Sequence, residues 1–193
     1  MKLLNLGCGA TRPKDLSWIN IDNLHAIFPD TSRPERMNMD AEPNYLNHDL
    51  NDPLPFESDS VDGILASHVI EHFTCCDALR VMRDWHKVLK SGGVLRVSVP
   101  DPKKMHQLTL DGADKDPMRM WGDPNPFAPM GFMEAALFFN EHMQLVTEDA
   151  LKALFLTSGF RNYYVCDYMK SKLSAMGAMD NRQQISLFME AVK

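Results

Sequence analysis

The chain has 193 residues, 45% of them apolar and 24% charged, with a net charge of −6 at pH 7. That length supports one domain with a full core, and the composition is that of an ordinary globular protein. The acidic balance argues against a partner whose phosphates need a basic face, and the absence of any run of 18 apolar residues argues against a membrane-spanning helix.

The predicted elements begin at the N-terminus. Lys2 to Leu6 is a short apolar run ended by Gly7-Cys8-Gly9, and Trp18 to Ile21 is a second that ends in Asp22. Asn23 to Pro43 is rich in Pro, Asp, Asn and Arg and is expected to be loop. A short strand around Tyr45 to His48 ends in Asp49. The turn-forming Glu57-Ser58-Asp59-Ser60 opens a strand at Val61 to Ala66. A long helix is predicted from about Cys75 to Leu89, with Ala78, Leu79, Met82, Trp85 and Leu89 inward and Arg80, Arg83, Lys87 and Lys90 as its wet face. Ser91-Gly92-Gly93 is expected to stop it, with glycine at the left-handed cap. Val94 to Val99 is a β run closed by Pro100.

Asp101 to Glu141 holds five of the twelve prolines and shows no clear period. It is expected to be a variable insert within one domain spanning residues 1–193. Its Trp121, Phe127, Phe132, Phe138 and Phe139 suit an apolar cap over a substrate or a homodimer surface. Thr147 can cap a helix whose first turn carries Glu148 and Asp149, whose inner face is Leu151, Leu154 and Phe155, and which Gly159 ends. Two strands close the chain, about Arg161 to Cys166 and Ile185 to Val192, with a Ser/Met/Gly/Asn loop between them. The N-terminus lacks the apolar core and cleavage site of a signal peptide, so a cytoplasmic location is expected. The four cysteines, Cys8, Cys75, Cys76 and Cys166, have no zinc-finger spacing and are expected to be reduced and mostly buried.

Strands alternating with crossovers argue for a parallel sheet, with the last two strands as an antiparallel pair at one edge. In such sheets the ligand lies beyond the carboxyl ends of the strands. Three features fall there. Gly7-Cys8-Gly9 lets backbone approach a ligand. Asp22 is placed to accept from the hydroxyls of a ribose, and Asp49 from the amino group of an adenine. Ala10-Thr11-Arg12 follows the turn, so the Gly-x-Gly-x-x-Gly form of a pyrophosphate site is absent and a nucleoside without phosphates fits better.

Leu3-Leu4-Asn5-Leu6-Gly7-Cys8-Gly9 resembles motif I of the class I S-adenosylmethionine-dependent methyltransferases, of the small type 11-like kind. Trp18-Ile19-Asn20-Ile21-Asp22 is similar to their acidic second strand, and His48-Asp49-Leu50 to their third motif. Ala66-Ser67-His68-Val69-Ile70-Glu71-His72-Phe73 resembles the segment after their fourth strand, and Leu89-Lys90-Ser91-Gly92-Gly93 their turn into strand five. The resemblance implies a Rossmann-like, doubly wound, mostly parallel seven-stranded sheet with an antiparallel C-terminal edge strand. It implies S-adenosylmethionine as cofactor, held by Asn5, Gly7, Cys8, Gly9, Asp22, Asn23, Asp49, Leu50, Ser67 and His68. Many relatives carry an acid at the place of Asn5. Motif I stands close to Met1, so the lid over the substrate is expected from residues 23–44, residues 101–141 or another subunit. The implied activity is methyl transfer to an O- or N-nucleophile, most simply on a small molecule. The alternative is a catalytically silent cofactor-binding module or a subunit of a larger assembly.

His68-Val69-Ile70-Glu71-His72 has the form H-x-x-E-H, which on a helix would put His68, Glu71 and His72 on one face. Three uses compete: a structural tie, a divalent metal site and an inverted zinc-peptidase motif. The structural tie is expected, and with it a metal-free protein; the peptidase would leave the glycine turn and both aspartates unexplained. As general bases, His68 and His142 stand out among the histidines, with His72 and His106 behind them.

Overall fold

The computed structural model of the protein describes residues 1–23, 42–111 and 142–193. Its strands are β1 (Leu3–Leu6), β2 (Trp18–Asp22), β3 (Tyr45–Asn47), β4 (Val61–Ser67), β5 (Leu89–Pro100), β6 (Asn162–Cys166) and β7 (Ser186–Val192). They form one seven-stranded sheet in the order β3-β2-β1-β4-β5-β7-β6. β1 to β5 pair in parallel, and β7 is antiparallel to both β5 and β6. From β1 the chain steps outward through β2 and β3, then returns to β4 on the other side. That reversal opens a crevice at the carboxyl ends of β1 and β4, the place where such sheets take ligands.

The helices are α1 (Cys75–Val88), α2 (Pro102–Leu110), α3 (Glu148–Ser158) and α4 (Ser174–Gly177). Thr74 caps α1 by accepting from Asp77 N, and Thr147 caps α3 by accepting from Ala150 N, each at 3.2 Å. Gly159 ends α3 in the left-handed conformation, as expected. Ala78, Val81, Met82, Trp85 and Val88 of α1 and Leu151 and Phe155 of α3 join Leu4, Leu6, Ile64, Ala66, Leu95 and Val97 in the main core. β1 is buried along its whole length, which suits a strand covered on both faces.

The second face is covered by the β6–β7 connection. Met176 of α4 packs on Leu3, Trp18, Leu65 and Val94. Gly63 makes room for it, because a Cβ there would stand 2.8 Å from both Leu173 Cδ1 and Met176 Sδ. On the same face Arg96 is fully buried and donates to Asp180 Oδ1 at 2.8 Å and Oδ2 at 2.5 Å, and to Glu190 Oε1 at 2.9 Å. It also donates to Lys170 O at 2.8 Å, so the guanidinium ties the connection to β5 and β7. Tyr164 donates to Glu190 Oε2 at 2.9 Å, and burial together with that carboxylate pushes its phenol up to about 12.

Several elements differ from expectation. The antiparallel strand β7 is inserted between β5 and β6, so the sheet edge belongs to β6. α1 ends at Val88 with Leu89 already extended, because β5 starts there opposite Val61. Gly92, at φ 78°, therefore serves an irregularity within β5, not a helix cap. Lys90 lies in β5 and pairs with Asp62 at 2.7 Å, off the wet face of the helix. The start of the insert is the helix α2, with Asp101 as N-cap and Pro102 in its first turn. The connection before β7, expected to be loop, contains α4. Cys75 and Cys76 are exposed at the first turn of α1, Cys166 is half-buried, and Cys8 alone is buried. Most of loop 23–43 and the aromatic part of the insert, including Trp121, Phe127, Phe132, Phe138 and Phe139, lie outside the described residues, and with them the expected lid and homodimer surface. No helix among the described residues is long and apolar enough to cross a membrane.

Removing the cation from the Arg96 cluster leaves two buried carboxylates facing each other. Arg96→Met is expected to cost about 3–5 kcal/mol of stability, measured by urea unfolding. Arg96→Lys should lose less, because it keeps the charge but not the two-pronged contact to Asp180.

Candidate functional site

The turn after β1 is braced from below by three asparagines. Asn5 and Asn20 are register partners on β1 and β2. Asn5 Nδ2 donates to Asn20 Oδ1 at 3.0 Å and to Thr11 O at 2.8 Å. Asn20 Nδ2 and Asn44 Nδ2 both donate to Pro13 O, at 3.0 and 2.8 Å. Arg12 closes the loop from the other side, donating to Gly9 O at 2.6 Å and pairing with Glu42 at 3.2 Å. Both amide hydrogens of Asn5 are thus spent inside the protein, and its amide is a brace under the turn. Asn20, Asn44 and Arg12 were not expected in the site. A polar residue inside an otherwise apolar strand is the signal that could have found Asn20.

The two glycines of the turn have different reasons. Gly7 has φ 60°, and a Cβ there would stand 2.6 Å from Val69 Cγ2, so its bareness is set by packing against the loop after β4. Gly9 has φ 48° and nothing within 4 Å of its missing Cβ, so its open side is available to a ligand. Gly9 N donates to Asp22 Oδ2 and Asn23 N to Asp22 Oδ1, both at 2.8 Å. Asp22 is 7% exposed, and burial raises its pKa above the ordinary carboxylate value although both backbone bonds pull it down. Burial, aided by the Asp22 charge, pushes the Cys8 thiol up to about 12, so it stays protonated at neutral pH.

Asp22 also fixes the next strand. Its carbonyl accepts from Tyr45 Oη at 2.9 Å and His48 N at 3.0 Å. β3 stops at Asn47, so Asp49 lies in the turn beyond it and not at the strand end. Asp49 Oδ1 accepts from Asn51 N at 2.9 Å and Asn51 Nδ2 at 3.1 Å. These bonds, with one from the Asn23 side chain, hold its carboxyl below the ordinary value. Asn23 and Asp49 are therefore side by side. Leu50 is half-buried against the main core.

Beyond β4 the chain does not enter a helix directly. Ser67 accepts from Ser98 Oγ at 2.9 Å. His68 has φ 56°, and a single 3-10 turn, Ile70–His72, follows before α1. His68 Nδ1 lies 3.1 Å from Glu71 Oε1 and Nε2 lies 2.8 Å from Ser186 Oγ at the start of β7. Both ring nitrogens of His68 are engaged with buried neighbours, so its imidazole is a structural tie between β4 and β7. The trio of described residues with metal-ligating atoms in reach of one another is Glu71, His72 and His142, all within 4.8 Å, and His68 is not among them. His106 is exposed on α2. The juxtaposition of His142 with His72 spans 70 positions and has no local signal in the sequence.

A model of the methyltransferase domain matches residues 1–165. The chain belongs to the methyltransferase-domain family. Solved structures share this fold along the full chain. A SAM-dependent methyltransferase of Archaeoglobus fulgidus is 15% identical and aligns over 100% of this chain and 86% of its own, at a TM-score of 0.61. One of Thermotoga maritima is 16% identical over 100% and 82%, at 0.61. One of Mesorhizobium loti is 19% identical over 100% and 90%, at 0.57. No curated protein sequence matches the chain. This methyltransferase uses S-adenosylmethionine, and the open side of Gly9 beside a fixed, buried Asp22 carboxylate fits a nucleoside that presents hydroxyl donors.

Two outcomes are expected from these contacts. Gly7→Ala should destabilise the fold more than Gly9→Ala in thermal melts, and adding Val69→Ala should recover part of the loss, because the clash is with that side chain. Asp22→Ala should weaken S-adenosylmethionine binding at least about tenfold by calorimetry, since hydrogen bonds to a charged group contribute roughly 1.5–3 kcal/mol. In the wild type, affinity should begin to fall on acidification at a pH above the ordinary aspartate range, because the neutral acid accepts less well. Asp22→Asn should remove that pH dependence.

Proposed function

We propose that this methyltransferase transfers the methyl group to an oxygen or nitrogen nucleophile of a small molecule that enters beside the turn after β4. The observation that carries this proposal is the polar cluster of Glu71, His72 and His142, built on the turn that follows β4, whose Val69 packs against Gly7 of the turn after β1. A hydroxyl or ammonium acceptor must shed a proton at neutral pH, and imidazoles and a carboxylate are groups that meet it.

In the cofactor half of the site, Asp22 accepts from the ribose hydroxyls and Asp49, with Asn23 beside it, from the adenine amino group. Gly7, Cys8 and Gly9 form the wall along the sulfonium end, Asn5 braces that wall, and Leu50, Ser67 and His68 complete the pocket. The bound cofactor supplies an electrophilic methyl on a positively charged sulfur. The residues around it align the acceptor with that methyl, and such positioning lowers a barrier by roughly 7–11 kcal/mol. The neutral Cys8 thiol and Val69 keep the wall apolar, which suits a reaction that disperses charge. All four cysteines are unpaired, which suits a reducing compartment and a cytoplasmic enzyme.

The test is a calorimetric titration with S-adenosylmethionine followed by an acceptor panel of small hydroxyl and amine compounds, read by release of the demethylated cofactor. Turnover with a hydroxyl or amine is expected. In the double variant His72→Ala/His142→Ala, turnover should fall by about 10²-fold or more, with cofactor Kd within threefold. Turnover confined to a protein or nucleic acid acceptor would overturn the small-molecule assignment.

A further inference from the structure

Glu71 is 1% exposed, yet only one of its carboxylate oxygens is satisfied. Oε1 lies 3.1 Å from His68 Nδ1, whereas Oε2 is buried without a hydrogen-bond partner. A buried carboxylate oxygen in that condition is costly and points to a missing ligand or ion. Arg182 is the nearby cationic side chain that senses the Glu71 charge, and Oε2 is unsatisfied even so.

Two imidazoles stand beside it. His72 follows Glu71 in the 3-10 turn and is exposed, and His142 arrives from the far side of the insert. Their rings are 4.8 Å apart, edge to face at 78°. The approach of His142 is built in. Met143 N and Gln144 N donate to Glu71 O at 2.8 and 3.3 Å. Gln144 Nε2 donates to Ile70 O at 3.2 Å and Phe73 O at 3.0 Å. The segment after the insert is thus clamped onto the turn that carries Glu71 and His72, and one donor atom from each of Glu71, His72 and His142 lies within 4.8 Å of the others.

We propose that Glu71, His72 and His142 bind one divalent transition-metal ion, of the class represented by zinc. Two imidazole nitrogens and one carboxylate oxygen match that class, whereas magnesium and calcium prefer oxygen alone. Bonds of about 2.0–2.2 Å to a tetrahedral ion put ligand atoms about 3.4 Å apart, so the side chains close by on the order of 1 Å. His72, being exposed, is free to turn. His68 then has a defined part. Held at Nε2 by Ser186, it orients the Glu71 carboxylate through Oε1 and leaves Oε2 for the ion. The metal use weighed from the H-x-x-E-H spacing takes His68 as the third ligand, against the expected metal-free protein, and the fold presents His142 instead. Three protein ligands leave a fourth position open. On the methyl-transfer assignment proposed above, that position would take an oxygen of the acceptor, whose hydroxyl would lose its proton to water more readily on a metal, with the two imidazoles serving as ligands in place of bases.

The experiment needs no acceptor. The full chain is stripped with a chelator and titrated with zinc by calorimetry, and with cobalt(II) by visible absorption. One ion per chain is expected, with His72→Ala and His142→Ala each weakening zinc binding at least tenfold and abolishing the cobalt bands. Glu71→Gln should do the same where it folds, and if it does not fold the two histidine variants decide. S-adenosylmethionine is titrated in parallel, and Kd values within threefold of wild type show that the variants are folded. Absence of zinc binding, or one-to-one binding that survives both histidine variants, overturns the metal site. Loss of S-adenosylmethionine binding with zinc retained would instead count against the cofactor assignment and leave the metal site standing.

Discussion

The site is organised around one hydrogen bond, from the Gly9 amide to the buried carboxylate of Asp22. It joins the ends of β1 and β2 where the strand order is about to reverse, so it fixes the shape of the crevice before any ligand arrives. The bond is not cheap. Burial raises the Asp22 pKa, so the folded free protein holds that proton more tightly than the unfolded chain does. Its stability contribution therefore falls as pH rises through the window between the unfolded and the raised folded value, and the ionised group is a net cost at neutral pH. The amides of Gly9 and Asn23 offset part of that cost, and a ligand donating hydroxyls offsets more. The carbonyl of the same residue carries the constraint on to β3 through Tyr45 and His48.

A turn so placed must be held from beneath, and here the supports are polar. Asn5 and Asn20 occupy positions where an apolar strand would carry Val or Ile, and Asn44 stands in the turn just before β3. Each satisfies carbonyls of a loop that has no regular structure of its own. Buried loop carbonyls need partners, and a side-chain amide provides donors without lengthening the strand. The second face of the sheet is handled likewise. The β6–β7 connection covers it with one apolar plug, Met176, and one buried cation, Arg96, that gathers the ends of that connection.

How much of this is legible in the sequence follows from range. Features set by neighbours in the chain are readable: the apolar runs of β1, β2 and β4, the Thr147 cap, the Gly159 stop, and the glycine turn with Asp22 behind it. Features set by pairing are not. Nothing local says that Ile185 to Val192 slips between β5 and β6, or that Leu89 pairs with Val61 before the glycines are reached. Asp101-Pro102 is an intermediate case: it is a capped helix start, and the prolines and missing period downstream obscured it. The H-x-x-E-H spacing misled in a specific way, because it assumes a helix through residues 68–72, and the left-handed His68 breaks that geometry. His142 becomes a neighbour of His72 through the bonds of Met143 and Gln144 to the turn.

A comparison of the two buried carboxylates separates what is finished from what is open. Asp22 receives a backbone N–H on each oxygen, so it is rigid without a ligand and meets one with its remaining lone pairs. Glu71 receives a partner on Oε1 alone, and that partner, His68, has its other nitrogen committed to Ser186. Rigidity at the first carboxylate is what a cofactor pocket needs, because every cofactor molecule presents the same hydroxyls. An unfilled valence at the second is a different condition, since the group is positioned but its charge is only half met. On the proposed assignment, the acceptor is held and deprotonated on the β4 side while the methyl donor is held on the β1–β2 side. On that assignment the completed hydrogen bonds fall on the donor side, and the unmet polar capacity of Glu71 falls on the acceptor side.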